Sequence, residues 1–282
     1  MISGRSVFLR HAFLWVGVLF ALYPVIWIVS ASVNPVDNLS SSQLIPEGLT
    51  GDNYTSLFSD PLTPFASWLA NSWKVALVAA FGTLLLAALA AYAFSRLRFT
   101  GRRTGLLALL LVQVFPQFLG FIAIFLTLQA IGSVAPGFGL DTHSGLILVY
   151  LGGAIGFNAY LIKGFMDTIP ASLDEAARVD GATPSMIFWR VILPLSRPVL
   201  AVIFVISFVN LYGELLLAQT LLRSAENFTL PIGLQQFSLS DYSAKWGQLS
   251  AAAILGSLPI ILTFLVAQKQ ILGGLTQGSV KG

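Results

Sequence analysis

Four polar side chains stand where the sequence is otherwise apolar: Gln113, Gln117, Asn210 and Glu214. A carboxylate inside a membrane-length apolar run is costly in lipid and normally faces a bundle interior or a wet cavity. Asn210 precedes Glu214 by four residues, which puts both on one face of a continuous helix. Gln113 and Gln117 repeat that spacing beside Pro116, which kinks or ends a helix. Such groups can line a path for a hydrogen-bonding solute. They suit an interhelical hydrogen bond equally well, and Glu214 could also reach water at the outer end of its run. Neither reading is covalent chemistry. The chain has no cysteine and only two histidines, His11 and His143, so a thiolate metal site is excluded and no metal site is expected. No Gly-x-x-x-x-Gly-Lys-Ser/Thr phosphate loop is present. No Ser/His/Asp set or carboxylate pair falls within the apolar runs. The sequence therefore predicts a non-catalytic chain with no cofactor of its own.

The densest set of polar signals lies between two of those runs: Ser172, Leu173, Asp174, Glu175, Ala176, Ala177, then Asp180, Gly181, Ala182, Thr183, Pro184, and finally Val191-Ile192-Leu193-Pro194. Ser172 and Glu175 follow Pro170 at capping-box spacing. Ala176 and Ala177 are strong, slim helix formers. Gly181 supplies a left-handed stop. Thr183 followed by Pro184 restarts a helix as N-cap and first turn. The pattern predicts helix, sharp turn, helix within about twenty residues. A well-capped connection between spans would need no more than this; a slim-faced helix could also seat in a groove on another protein.

The elements that position these residues are membrane helices. Of 282 residues, 56% are hydrophobic and 10% charged, against about 25% charged in a soluble domain. Runs long enough to span, about 17–25 residues, fall near Ala12–Val33, Val75–Phe94, Leu106–Ala130, Gly145–Ile162, Val199–Leu222 and Leu249–Ala267. The first is longer than a signal-peptide core of about 7–15 residues, so it is read as an uncleaved helix. With both termini inside, the inner segments hold Arg5, Arg10, Arg96, Arg98, Arg102, Arg103, Lys163, Arg178, Arg190, Arg197, Lys269 and Lys281; only Lys74, Arg223 and Lys245 lie outside. That asymmetry satisfies the positive-inside rule and puts the 174–194 segment in the cytoplasm. The arginines at 96–103 fit topology and lipid headgroups rather than nucleic acid. Gly152-x-x-x-Gly156 predicts close helix packing.

Glu-Ala-Ala, three residues, Gly181, nine residues and then Val191-x-Leu193-Pro194 resembles the EAA loop of the membrane subunits of binding-protein-dependent ATP-driven importers, with Val191 where that motif has Ile. Leu22-Tyr23-Pro24, Ile45-Pro46 through Asn53-Tyr54, and the ending Gly274–Gly282 resemble the sugar-importing group, nearest to the second permease of maltose/maltodextrin systems. The resemblance implies an all-α, six-span importer permease of the type I fold. It implies an organisation of 1–72 (first helix and outer segment), 73–272 (permease core, with the coupling loop at 163–197) and 273–282 (cytoplasmic tail). Ser172 to Ala177, Asp180 to Pro184 and Pro194 would contact an ATPase homodimer that holds ATP and Mg on another chain. A second, homologous permease and an extracytoplasmic sugar-binding protein would complete the assembly, in a bacterial cytoplasmic membrane. Asn227, Gln235, Gln236 and Tyr242, in the outer segment before Trp246, would face the binding protein, although amides and aromatics there suit an ordinary interfacial loop too. Trehalose, another sugar or glycerol phosphate stays open as cargo. An ion-coupled secondary transporter is the rival class, but the inverted repeats and multiple intramembrane charges common there are not visible.

Overall fold

The computed structural model describes residues 4–35, 45–46, 48–61, 63–153, 155–238 and 245–277, and within them every regular element is helical. Three helices are unbroken and long enough to span: α1 (Gly4–Ser32), α3 (Phe65–Arg96) and α13 (Trp246–Gln277). Helix α2 (Asp52–Ser59) lies between the first two. Three further spans are broken. Helix α4 (Arg102–Val114) leads through a 3-10 turn at Gln117–Gly120 into α5 (Phe121–Val134), bent by 83°. Helix α6 (His143–Gly153) meets α7 (Ile155–Met166) at 51°. Helix α8 (Ala171–Val179) is followed by α9 (Pro184–Leu195), which joins α10 (Arg197–Tyr212) at 77°. Short helices α11 (Leu216–Leu221) and α12 (Leu230–Gln236) precede α13. Counting each bent pair as one span gives the expected six.

The breaks have local causes. Pro116 disfavours helical backbone at the residue before it, and Phe115 is extended (φ −71°, ψ 128°). Pro194 has no N–H, and the preceding Phe188–Ile192 turn widens into a π-helix. The fifth predicted span, Val199–Leu222, is not one helix: α10 stops at Tyr212 and α11 starts at Leu216, with Gly213, Glu214 and Leu215 between. The second span begins ten residues before the predicted Val75. Its extra turns carry Trp68, Asn71 and Ser72, whose side chains bond the backbone of Ala225, Glu226, Phe228 and Leu230 at 2.6–3.1 Å. These turns are helical although polar, because their polar side chains are committed to that backbone.

Two compact units form. The first holds residues 1–66 and 232–258. In it Asn53 Nδ2 donates to the carbonyls of Ser32 and Asn34, both at 3.0 Å, and the Tyr54 and Ser32 hydroxyls are 2.8 Å apart. Gly247 lets α13 approach Asn53; a Cβ there would lie 2.6 Å from its amide. The Asn53-Tyr54 pair thus ties the end of α1 to α2. The second unit holds residues 67–231 and 259–282. Its core is a small-residue stripe of α3 (Ala87, Ala88, Ala91) packed on Ala159, Ile162 and Met166 of α7, Ile187, Phe188 and Ile192 of α9, and Leu200 and Ile203 of α10.

Candidate functional site

The 171–195 segment folds as helix, turn, helix. Helix α8 ends in a Schellman motif: Gly181 N–H donates to Arg178 O at 3.0 Å and Ala182 N–H to Ala177 O at 2.9 Å. This needs a left-handed residue, and Gly181 has φ +82°. Thr183 caps α9, its Oγ1 accepting from Met186 N–H at 3.3 Å, with Pro184 in the first turn. The capping box does not form. Helix α8 begins at Ala171 with Pro170 as N-cap, so Ser172 already lies inside the first turn and caps nothing. Ala177 and Ala182 pack toward the bundle. Leu173, Glu175, Ala176, Val179 (87% exposed), Asp180, Met186 and Trp189 face outward, leaving an apolar surface on a polar loop. Pro194 sits in the last turn of α9, next to its final residue Leu195.

Asp174 is turned inward and only 2% exposed. Its Oδ2 lies 2.7 Å from Arg96 Nε at the end of α3. The Nε–H is not aligned with the carboxylate, so the contact is Coulombic, and Asp174 Oδ1 is buried without a donor. The same guanidinium donates to Ile169 O at 2.7 Å. One turn back, Tyr92 donates to Pro184 O at 3.1 Å, and Ser95 donates to Asp167 at 2.6 Å. Burial raises the pKa of the Asp167 carboxyl, but bonds from Lys163 and Ser95 outweigh it and hold the group below its ordinary value. The last turn of α3 therefore grips α7, α8 and α9 together.

Gln113, Asn210 and Glu214 all border one open cleft of about 1000 Å³, lined mostly by Phe, Leu, Ile and Val, with Thr127, Tyr150 and Asn158 as the other polar members. Among the described residues, no Lys or Arg lines it. Asn210 and Glu214 are brought there by the bend rather than by one helical face. The Glu214 carboxylate accepts from Tyr150 Oη–H (2.7 Å) and from the N–H groups of Leu217 (2.8 Å) and Ala218 (2.9 Å). It satisfies the first free donors of α11. Gln113 Nε2 donates to Gly153 O at 2.7 Å, at the α6/α7 break. The side chain of Gln117 lies outside the described residues. Of the glycine pair, Gly156 packs tightly: a Cβ there would lie 2.6 Å from Leu109 O. Gly152 meets nothing within 4 Å and opens on the cleft. Sequence reasoning missed Tyr150 and Asn158, which lie within an apolar run and have partners about fifty or more residues away in Glu214 and Ser207.

The polar groups of residues 141–143 and 223–227 are committed to one another. Asn227 Nδ2 donates to Asp141 O at 2.9 Å, and the carbonyl of Asn227 accepts from His143 Nε2 at 3.0 Å. Lys74 Nζ lies 2.8 Å from His143 Nδ1, which fixes the tautomer with the proton on Nε2. Asp141, in the left-handed region at φ 58°, accepts from the N–H groups of Arg223 and Ser224 and from the Ser224 hydroxyl. Burial opposes its ionisation, but these bonds prevail and its pKa is lowered. Gln235 is half-buried and Gln236 exposed. Tyr242 lies outside the described residues. No cluster of metal-ligating side chains occurs among the described residues.

Six apolar spans, a mostly apolar cleft carrying a few amides, hydroxyls and one carboxylate, and a braced helix–turn–helix with an apolar outer face define a polytopic α-helical membrane protein of the transporter class. The chain belongs to the family described as binding-protein-dependent transport system inner membrane component, which matches residues 83–272. It is 41% identical over 262 residues to the galactooligosaccharides transport system permease protein GanQ of Bacillus subtilis, covering 93% of this chain and 90% of that one. It is 39% identical to the maltose/maltodextrin transport system permease protein MalG of Escherichia coli, over 98% of this chain and 96% of that one. Among solved structures, it matches a chain of a bacterial ABC transporter involved in the import of the acidic polysaccharide alginate, with TM-score 0.78, 26% identity, and 95% and 99% of the two chains covered.

Proposed function

We propose that this chain is one permease subunit of an ATP-driven importer of a neutral oligosaccharide, forming part of the translocation path and taking its energy from a separate ATPase docked on residues 171–189. The observation that carries the docking reading is the apolar outer face of Leu173, Val179, Met186 and Trp189 on a loop otherwise made of charged and small residues. Exposed apolar surface of this kind, rimmed by polar residues, marks interaction sites. ATP and Mg belong to that partner chain. A second, related permease and an extracytoplasmic sugar-binding protein complete the assembly, and both termini of this chain face the cytoplasm.

A sugar is supported by the relatives' names and by the cleft. Its polar groups are amides, hydroxyls and one carboxylate whose acceptors are already engaged, and no cation is available to balance an acidic cargo. Maltodextrins and galactooligosaccharides fit that chemistry better than alginate or glycerol phosphate. The test is uptake by proteoliposomes containing this chain, its partner permease, the ATPase and candidate binding proteins, with maltotriose, galactotetraose, trehalose and glycerol phosphate offered in turn. ATP-dependent uptake of a neutral oligosaccharide is expected. Uptake driven by an ion gradient without ATPase would refute the class, and preference for glycerol phosphate would refute the cargo.

A further inference from the structure

The last turn of α3 holds the cytoplasmic loop at three points, and the most buried of them is ionic. Arg96 grips α8 twice: at Ile169 O, just before the helix begins, and at Asp174 in its first turn. Two grips on one short helix fix its rotation as well as its distance. The neighbouring Ser95 holds Asp167, the residue following α7. The other end of α7 carries Phe157 and Asn158 into the cleft wall. A displacement of α8 therefore has a short route through Arg96 and Ser95 to the end of α7, and along a rigid helix to the cleft.

The pair is poorly suited to a purely structural job. Breaking a buried ion pair strands a charge, whereas a matched apolar pair in its place is often as stable. Here the geometry is also incomplete, with Arg96 Nε misaligned and Asp174 Oδ1 buried without a donor. A guanidinium can take a carboxylate in a two-pronged fork, and this one has an acceptor oxygen waiting. The pair therefore has a second, two-pronged arrangement that its present geometry does not use.

We infer that Arg96 and Asp174 are positioning residues that transmit movement of the docked loop to the translocation cleft, rather than merely holding the loop in place. This rests on residues 171–189 being the ATPase contact. The test uses the complete complex in lipid nanodiscs and exploits the absence of cysteine from the chain. Gly152→Cys places a thiol on the cleft wall where a Cβ meets nothing. Its rate of labelling by a membrane-impermeant methanethiosulfonate is measured with and without ATP. In the otherwise unaltered chain the two rates should differ by about fivefold or more, the lower range of ordinary coupling between sites. In Arg96→Gln and Asp174→Asn, which remove the charges but keep polar side chains, the ATPase should remain bound while the two rates become equal. The exchanged pair, Arg96→Asp with Asp174→Arg, should recover part of the difference. Single variants that respond to ATP like the parent would overturn the inference. So would single variants that release the ATPase with no recovery in the exchange, since that is the signature of a structural pair. Val179→Glu, on the outer face, separates the two readings: it should release the ATPase, and retention there refutes the docking surface itself.

Discussion

Glu214 offers a sharp quantitative test, because its carboxylate accepts three hydrogen bonds at 2.7–2.9 Å. Interhelical and side-chain bonds in membranes contribute about 0.6–1.7 kcal/mol each. Glu214→Leu removes all three and leaves the N–H groups of Leu217 and Ala218 and the hydroxyl of Tyr150 without an acceptor. Summed over three bonds, the loss is about 2–5 kcal/mol. Glu214→Gln is milder. Its carbonyl keeps one backbone N–H, and its amide can donate to Tyr150 once that hydroxyl rotates. One backbone bond is lost, about 1 kcal/mol. Tyr150→Phe should cost a similar amount, and the cycle built from Glu214→Gln and Tyr150→Phe should show a coupling of at least about 0.5 kcal/mol, as contacting residues do. The assay is the thermal midpoint of the purified complex in detergent, with complex yield and ATP-driven uptake measured on the same preparations. The expected order is wild type, then Gln and Tyr150→Phe together, then Leu far below. A Glu214→Leu complex that assembles, melts and transports like wild type would falsify the bridge between α6 and the start of α11.

Gly181→Val forces a β-branched residue to φ +82°, at about 1–2 kcal/mol, and should uncouple ATP hydrolysis from uptake or release the ATPase; both are read by co-purification and uptake. Gly156→Ala brings a Cβ within 2.6 Å of Leu109 O, so it should destabilise the complex by about 1–3 kcal/mol, whereas Gly152→Ala should leave the melting midpoint unchanged. Asp141 has a lowered pKa in the folded state, so its contribution is present above the ordinary carboxylate pKa and is lost as pH falls through the depressed folded value. The midpoint difference between wild type and Asp141→Ala should thus persist at neutral pH and shrink in strong acid, and a constant difference would refute the assignment. Ser279→Cys, in the proposed cytoplasmic tail, should be labelled only after the membrane is permeabilised; labelling from outside intact cells overturns the orientation.

Local chemistry was legible in the sequence where the partner lies within a turn. Gly181, Thr183 and Pro184 act as their types require, because a left-handed stop and an N-cap are decided by a few adjacent residues. Even there, Ser172 and Glu175 misled. Capping-box spacing says what a helix start could use, but α8 starts two residues earlier than that box would place it, at Ala171 with Pro170 as N-cap. The six spans were legible from hydropathy, yet their breaks were only partly so. Pro116 announced one. Gly213 beside Glu214 was the available hint of another, and the apolar run over it concealed the stop.

What the sequence could not disclose is how each interruption is made tolerable in lipid. A helix that stops inside a membrane leaves carbonyls or N–H groups that water cannot satisfy. Two of the interruptions, at α6/α7 and between α10 and α11, meet that demand with a side chain from another element or from the gap itself. Gln113 on α4 donates to Gly153 O at the α6/α7 break, and Glu214 accepts from the first turn of α11 while binding Tyr150 on α6. Both donors and acceptors face the cleft. The same polar groups that first suggested a solute path are therefore the ones that keep the breaks stable. These roles are compatible: the cleft is lined by residues of the interrupted helices, and at these two interruptions a polar group stands beside the break. A hydroxyl-rich cargo would meet, at those bends, groups already placed among backbone donors and acceptors. The uncommitted polar residue on this wall is Asn210, for which no partner is recorded among the described residues. Asn210→Ala should consequently change uptake or sugar preference with little effect on the melting midpoint, the reverse of the pattern expected for Glu214→Leu.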